Sequence, residues 1–211
     1  MNKMIADYRF APGENTYEPG SIKKDKDVLS SFFPNRKNDY EYLNNNEDMY
    51  KACFSKIFYS RCAYCGRHID IIGIEQFQID HMIPKNKDGI KNNDIDNLAF
   101  CCPACNTEKR QSIITDENIS KFQIEELGKH IIRDPSNFVL SLSKKDSKDQ
   151  DYRLFFDKLY LASQKRRLDY ALHYCDYFLS NCNPSDKQKE ALQKLVTFLR
   201  RARNIFTSNK F

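Results

Sequence analysis

Two C-x-x-C pairs, Cys62/Cys65 and Cys102/Cys105, constrain the fold of this chain more than any other feature of its sequence. A tetrahedral zinc site takes four thiolate or imidazole ligands, and each tight C-x-x-C turn supplies two of them. A disulfide framework requires a secreted protein, and the sequence shows no apolar leader of that kind. We therefore predict one structural zinc ion on these four cysteines. His68 could replace a ligand, but a complete cysteine set makes that unnecessary.

The 36 residues between the two pairs (66–101) leave room for an inserted β-hairpin. Ile74–Ile83 is rich in β-branched and aromatic residues and predicts a strand, and Leu98–Cys101 predicts a second one. The sequence after CPAC predicts the start of a helix, and the apolar rows between about Asn46 and Phe58 predict another. The predicted fold class is therefore α+β: a small zinc-stapled core with helical additions.

Changes in composition divide the chain into four parts. These are an N-terminal arm (1–45), a core with the cysteine pairs (46–140), a polar linker (141–151) and a C-terminal helical hairpin (152–211). Within the hairpin, the pattern predicts one helix over 152–180 and a second that starts at a Ser185/Gln188 capping box. A further helix is expected over Phe122–Ile132, with Pro135 marking its end.

The net charge of +5 is concentrated near the C-terminus, where residues 151–211 hold 12 basic and 6 acidic side chains. The clusters Lys165–Arg167 and Arg200–Arg203 could meet and grip phosphates, or they could form a solvated helix face. No apolar run approaches the ~18 residues of a membrane span, so we expect a cytoplasmic protein without membrane contact. The remaining cysteines are expected to be small core residues: Cys53, Cys101, Cys175 and Cys182.

Asp80 and His81 end the first predicted strand, in QIDHMIPK. Phosphodiester hydrolysis needs a base to deprotonate water and a cation beside the scissile phosphate. A histidine suits the first task and an acidic neighbour the second, although both reach one site only where the strand bends. Asn97 precedes the second strand. Asn106 follows the last cysteine, and its amide oxygen could complete a site with Asp80 for Mg²⁺ or Mn²⁺.

The order C-x-x-C, then QIDHMIPK, then NDIDNLAFCCPACNTEK resembles the HNH endonucleases of the McrA-like, ββα-metal group. The resemblance covers roughly residues 58–112 and implies hydrolysis of DNA that leaves 5′-phosphate and 3′-hydroxyl ends. It implies a role for each matched residue: His81 as general base, Asp80 and Asn106 as ligands of the catalytic metal, Asn97 as the residue that orients His81, and Lys109 and Lys91 as contacts to DNA. Where many members have Gly-Gly in the hairpin loop, this chain has Asp88–Gly89.

The layout outside this segment resembles the HNH nuclease subunit of Septu-type and retron-linked antiphage systems, which works with an ATPase partner. That resemblance implies an effector nuclease of prokaryotic defence. Two alternatives have no catalysis: a zinc-dependent nucleic-acid-binding module, and a purely structural subunit of a larger assembly. Neither alternative explains why Asp80, His81, Asn97 and Asn106 occur together in one short segment.

Overall fold

A computed structural model describes residues 7–32, 38–45, 48–84, 93–109, 113–115 and 117–208 of the chain. These residues form eight α-helices and four short β-strands: α1 (Ser21–Ser31), α2 (Asp39–Asn45), α3 (Asp48–Ile57), α4 (Ile69–Ile72), β1 (Gln78–His81), β2 (Leu98–Cys101), α5 (Pro103–Lys109), β3 (Ile131–Arg133), β4 (Leu140–Leu142), α6 (Gln150–Lys158), α7 (Gln164–Asn181) and α8 (Asp186–Ser208). The strands make two separate sheets, β1–β2 and β3–β4. This mixed architecture confirms the predicted α+β class.

Strands β1 and β2 pair antiparallel and form the inserted hairpin, with Asp80 opposite Ala99 and His81 opposite Leu98. Strand β2 has the bounds that its apolar run predicted. Strand β1 is shorter than predicted, because Ile74–Gln76 form a 3-10 turn ahead of it. The two candidate catalytic residues therefore lie at the end of a four-residue strand.

The main core lies beneath this hairpin and is built from aromatic side chains. Phe77 and Phe100 stack with their ring centroids 4.6 Å apart, and Phe54 and Phe58 meet edge-on at 5.2 Å. All four side chains are buried, and burying each contributes on the order of 1.5–3 kcal/mol to folding. Helix α3 occupies the position that the apolar rows before the first cysteine pair predicted.

Residues 7–11 lie against the turn that carries the first cysteine pair. The guanidinium of Arg9 is fully buried and donates to the carbonyl oxygens of Ala63 and Ile124, each at 2.6 Å. Gly66 permits this approach, because a Cβ at that position would lie 2.7 Å from Arg9 Cα. Its φ of 74° also favours glycine. The N-terminal segment therefore packs directly onto the predicted zinc turn.

Glu14 ties the same segment to α7. Its Oε1 accepts a hydrogen bond from Arg61 at 3.0 Å and lies 2.9 Å from His173 Nε2. Burial works to raise the pKa of Glu14, but the hydrogen bond with His173 and the charge of Arg61 lower that pKa to about 2. The carboxylate is therefore ionised at neutral pH. His68 stacks on His173 at 4.6 Å and its Nδ1 accepts a hydrogen bond from Asp70 N at 3.3 Å, and among the described residues it does not belong to the cysteine cluster.

Helices α7 and α8 pack against each other with Leu168, Leu172 and Val196 buried between them. The Ser185/Gln188 capping box is confirmed, because Ser185 N donates to Gln188 Oε1 at 2.9 Å and Gln188 N donates to Ser185 Oγ at 3.4 Å. Across the described ranges, no helix has both the length and the apolar character that crossing a membrane requires.

Three stretches differ from the sequence-based expectation. The span 152–180 contains two helices, α6 and α7, because the chain breaks at Tyr160, whose backbone is left-handed with a φ of 48°. The span Phe122–Ile132 is not a helix, since its apolar residues reach the core from short 3-10 turns and from β3 rather than from one helical face. The stretch 141–151, predicted as a linker, contains the end of β4 and the start of α6.

Two of the four cysteines outside the C-x-x-C pairs are core residues as expected. Cys101 and Cys175 are buried, but Cys53 and Cys182 are exposed. Cys53 lies on the outer side of α3, whose neighbouring residue Phe54 faces the core. The prediction that all four are core residues is therefore wrong for this pair.

Candidate active site and metal centre

The four cysteines predicted to bind zinc converge in the structure. Their Sγ atoms all lie within 4.8 Å of one another, and all four residues are buried. The Sγ atoms of Cys65 and Cys102 are 3.8 Å apart, which matches the edge of a tetrahedron with Zn–S bonds of about 2.3 Å. Within the described ranges, this is the one group of at least three metal-ligating side chains that close together. The donor atoms and their spacing therefore fit a structural zinc ion.

Backbone hydrogen bonds shape the two cysteine turns. Gly66 N donates to Cys62 O at 2.9 Å, which closes the first turn. Ala63 N donates to Phe100 O at 2.9 Å and attaches that turn to β2. The second pair opens α5, where Asn106 N donates to Cys102 O at 3.1 Å. A zinc ion on these cysteines would fix α5 against the hairpin.

Arg166 of α7 also reaches the cysteine cluster. Its Nη1 donates to Cys65 Sγ at 2.8 Å and to Cys102 Sγ at 3.4 Å, and its Nη2 donates to Cys105 Sγ at 3.1 Å. Arg203 of α8 turns inward as well and pairs with Asp169. One interpretation of the basic clusters was that they bind phosphates. These two arginines point inward instead and are not placed to do so. The sequence marked Arg166 only as part of a charged run.

Asp80 lies at the meeting point of the hairpin, the first cysteine turn and α5. Its Oδ2 accepts a hydrogen bond from the Tyr64 hydroxyl at 2.8 Å and pairs with Lys109 Nζ at 3.2 Å. Burial raises the pKa of Asp80 above its ordinary value, while the charge of Lys109 and the Tyr64 hydroxyl oppose that rise. Sequence analysis missed Tyr64, although its position between Cys62 and Cys65 was a signal that it lies beside the metal turn.

The His81 side chain is half-buried and held on two sides. Its Nε2 lies 2.9 Å from Asn93 Oδ1, and its ring centroid lies 4.3 Å from that of Tyr40. Both neighbours were missed in the sequence, because neither belongs to the motif. Asn93 is brought to His81 by the return of the hairpin, and Tyr40 is brought to it by α2.

The backbone around His81 is pinned by two further predicted site residues. Lys109 Nζ donates to the carbonyl oxygens of His81 at 2.8 Å and Met82 at 3.1 Å. Asn97 Oδ1 accepts from Ile83 N at 2.9 Å, and its Nδ2 donates to Ile83 O at 3.0 Å. The chain immediately after the histidine therefore has a fixed course.

The structure describes one of the two lysines that the resemblance implies as DNA contacts. Lys109 is 3% exposed, so its ammonium faces Asp80 and the backbone rather than the surface. Its role in this structure is internal. Lys91 lies outside the described residues.

Asn106 completes the group that the structure gathers around the end of β1. Its Nδ2 donates to Gln78 Oε1 at 2.7 Å. Gln78 and Asp80 are two residues apart on β1 and so project from the same face of the strand. Helix α5 packs against β1. Asn106 therefore lies on the Asp80 side of the hairpin.

Comparison with protein families gives the segment an assignment. The HNH endonuclease family model matches residues 62–112, a range that contains both cysteine pairs and every motif residue described above. Residues 62–112 form an HNH endonuclease domain. The HNH domain indicates nuclease activity with DNA as the substrate and covers about a quarter of the chain. Comparisons with curated proteins and with solved structures gave no match.

Proposed function

We propose that this chain is a metal-dependent endonuclease that hydrolyses DNA phosphodiester bonds at the end of β1. One observation carries the proposal: Tyr64 from the cysteine turn and Lys109 from α5 converge on Asp80, the residue that directly precedes His81 in β1, within the HNH domain. A carboxylate that a hydroxyl and an ammonium group fix in place, followed in the strand by a half-buried histidine, provides groups for acid–base and metal chemistry.

His81 is the proposed general base, and its neighbours indicate which nitrogen acts. Because the amide Oδ1 of Asn93 accepts hydrogen bonds and lies 2.9 Å from Nε2, we assign the ring proton of His81 to Nε2. Nδ1 then holds the lone pair and takes a proton from water while the water oxygen attacks phosphorus. The bond from phosphorus to O3′ breaks, which leaves a 5′-phosphate, and the departing O3′ takes a proton from solvent water to become the 3′-hydroxyl. Asn97 and Lys109 position the histidine through the backbone.

Asp80 and Asn106 are the proposed ligands of the catalytic divalent ion. Both offer hard oxygen atoms, which Mg²⁺ and Mn²⁺ prefer. Because Tyr64 and Lys109 contact Oδ2 of Asp80, we assign Oδ1 to the cation. When bound, the cation would neutralise charge on the scissile phosphate and the leaving oxygen. Lys109 favours the ionised carboxylate that such a site needs, and Lys91 is kept as a proposed DNA contact.

The metal site is tested by titrating plasmid cleavage with Mg²⁺ and with Mn²⁺. Asn106→Ala removes one proposed oxygen ligand and is expected to raise the metal concentration for half-maximal cleavage by at least about tenfold. Asp80→Asn should weaken metal binding further, because it also removes the negative charge. Asn181→Ala is the matched control, since Asn181 is exposed at the end of α7 and its side chain donates to Tyr177 O of the same helix.

The same titration separates nuclease from binding module. An unchanged metal requirement in Asn106→Ala would remove that residue from the site. A parent protein that shifts DNA in a gel but leaves it intact with either metal would support the alternative, a non-catalytic zinc-dependent nucleic-acid-binding module. Chelation with EDTA should stop cleavage by the parent protein if the proposal is correct.

We further propose that the chain is the effector nuclease of a prokaryotic antiphage system and acts with an ATPase partner. The layout supports this, since large helical parts flank a small HNH domain. On α8, Leu195, Phe198 and Ile205 are 43%, 65% and 59% exposed and lie along one side of the helix. An exposed apolar stripe of this kind is typical of a docking surface. We assign it, within the hairpin 152–211, to the partner.

The partner proposal is tested by co-expressing the chain with an ATPase encoded beside it. Phe198→Glu should weaken co-purification by at least about tenfold and abolish protection against phage plaques, while DNA cleavage by the isolated chain stays unchanged. Thr197→Glu adds the same charge at the neighbouring exposed position and should retain both functions. Phe198→Glu that still co-purifies would place the partner elsewhere, and a pair that gives no plaque protection would contradict the defence role.

A further inference from the structure

Arg166 occupies an unusual position for a charged side chain. Arg166 is 7% exposed, and its guanidinium donates hydrogen bonds to three of the four clustered sulfur atoms and to Leu159 O. Among the described residues, Arg166 makes no ion pair with a carboxylate. Burying a guanidinium is costly unless negative charge compensates it. The compensating charge must therefore come from the sulfur atoms.

A zinc centre with four thiolates provides that charge. Four thiolates outweigh one divalent cation, so the centre is negative as a whole, whereas four protonated thiols are neutral. The guanidinium and the thiolate centre thus stabilise each other in a dry environment, where their attraction is strongest.

We propose that Arg166 is a positioning residue of the zinc centre, which neutralises the thiolates and makes the docking of the C-terminal helices depend on bound metal. The inference rests on the zinc site of the proposed function. Arg166 belongs to α7, outside the HNH domain, and its sulfur contacts span both cysteine turns. One of them, Cys105, directly precedes Asn106, so the same contact fixes the start of the segment that carries a proposed catalytic ligand.

A second ionic connection extends this link to α8. Arg67, whose carbonyl oxygen accepts from Cys62 N at 2.8 Å, donates through Nε to Asp169 Oδ2 at 2.7 Å. The other carboxylate oxygen of Asp169 accepts from Arg203 Nε at 2.5 Å. Asp169 is 3% exposed and lies one helical turn after Arg166. The cysteine turn, α7 and α8 are therefore joined by ionic contacts to one buried carboxylate, that of Asp169.

Metal affinity measured by competition with a chromogenic chelator tests the proposal on the full chain. Arg166→Met keeps the length of the side chain but removes its charge and donors, and it should weaken Zn²⁺ binding by about 10–100-fold. Arg166→Lys keeps the charge without the planar fork and should lose less. Arg167→Met is the matched control, because Arg167 is a half-buried neighbour that lines the groove between α7 and α8.

Two readouts distinguish this role from simple packing. In Co²⁺-loaded protein, loss of the hydrogen bonds to sulfur should shift the thiolate-to-metal absorption of Arg166→Lys, a variant that tests the proposal even if Arg166→Met does not fold. In the metal-loaded chain, amide exchange in α7 and α8 should be faster in Arg166→Lys than in Arg167→Met. Equal Zn²⁺ affinity in Arg166→Met, Arg166→Lys and Arg167→Met would overturn the inference alone. A parent chain that binds no metal would overturn it together with the zinc site.

Discussion

His81→Ala should lower the rate of DNA cleavage by about 10²–10⁴-fold, the usual loss when a general base is removed. The fold should survive the change. The side chain is half-buried at the end of β1, and Lys109 grips its backbone carbonyl, which alanine retains. Zinc content, circular dichroism and DNA affinity should therefore match the parent. Cleavage is measured on plasmid DNA at saturating Mg²⁺, so that a change in metal binding does not imitate a change in base catalysis.

His130→Ala serves as the matched control for this experiment. His130 pairs with Asp146 and stacks on Tyr152, away from the motif residues. Its loss should leave cleavage unchanged. Asn93→Ala adds a finer test, because it removes the acceptor that fixes the ring proton on Nε2, and it should lower the rate less than His81→Ala does. Full activity in His81→Ala would show that another group activates water.

The local sequence was sufficient to predict the parts of the site that depend on spacing. The C-x-x-C turns could be paired because zinc demands four soft ligands, and the structure brings the sulfur atoms within 4.8 Å of one another. Strand β2 and the Ser185/Gln188 capping box followed from apolar run length and hydrogen-bonding chemistry. Each of these features is set by residues close together in the chain.

The contacts that could not be predicted join distant segments. A basic cluster such as 165–167 shows charge but not which arginine turns inward, and only the packing of α7 directs Arg166 to the sulfur atoms. The sequence places Tyr64 in the cysteine turn, but the hydrogen bond of its hydroxyl to Asp80 depends on how that turn packs against β1. The break at Tyr160 was missed because helical propensity continues through it. Tertiary packing decides all three.

Loss of zinc should unfold the HNH domain rather than merely lower the rate of DNA cleavage. Structural zinc contributes about 10–16 kcal/mol in small zinc domains, which is as large as the whole stability of a typical domain, about 5–15 kcal/mol. Here its removal would also leave the guanidinium of Arg166 buried without compensating charge and would release the turn that holds Tyr64 against Asp80. Cys102→Ser should therefore lack zinc, lose its cooperative thermal transition and cleave no DNA.

Elemental analysis and thermal melts followed by circular dichroism check this outcome. The parent should carry one zinc per chain, and Cys182→Ser, which alters an exposed cysteine outside the cluster, should keep both the metal and the melting temperature. If Cys102→Ser has the same melting temperature as the parent, or if the purified parent holds no zinc, the cysteine cluster is not the structural centre of this domain. Arg166→Lys should weaken zinc binding without abolishing it. At limiting zinc, its melting temperature should therefore lie between those of the parent and Cys102→Ser. As zinc is added, its melting temperature should approach that of the parent.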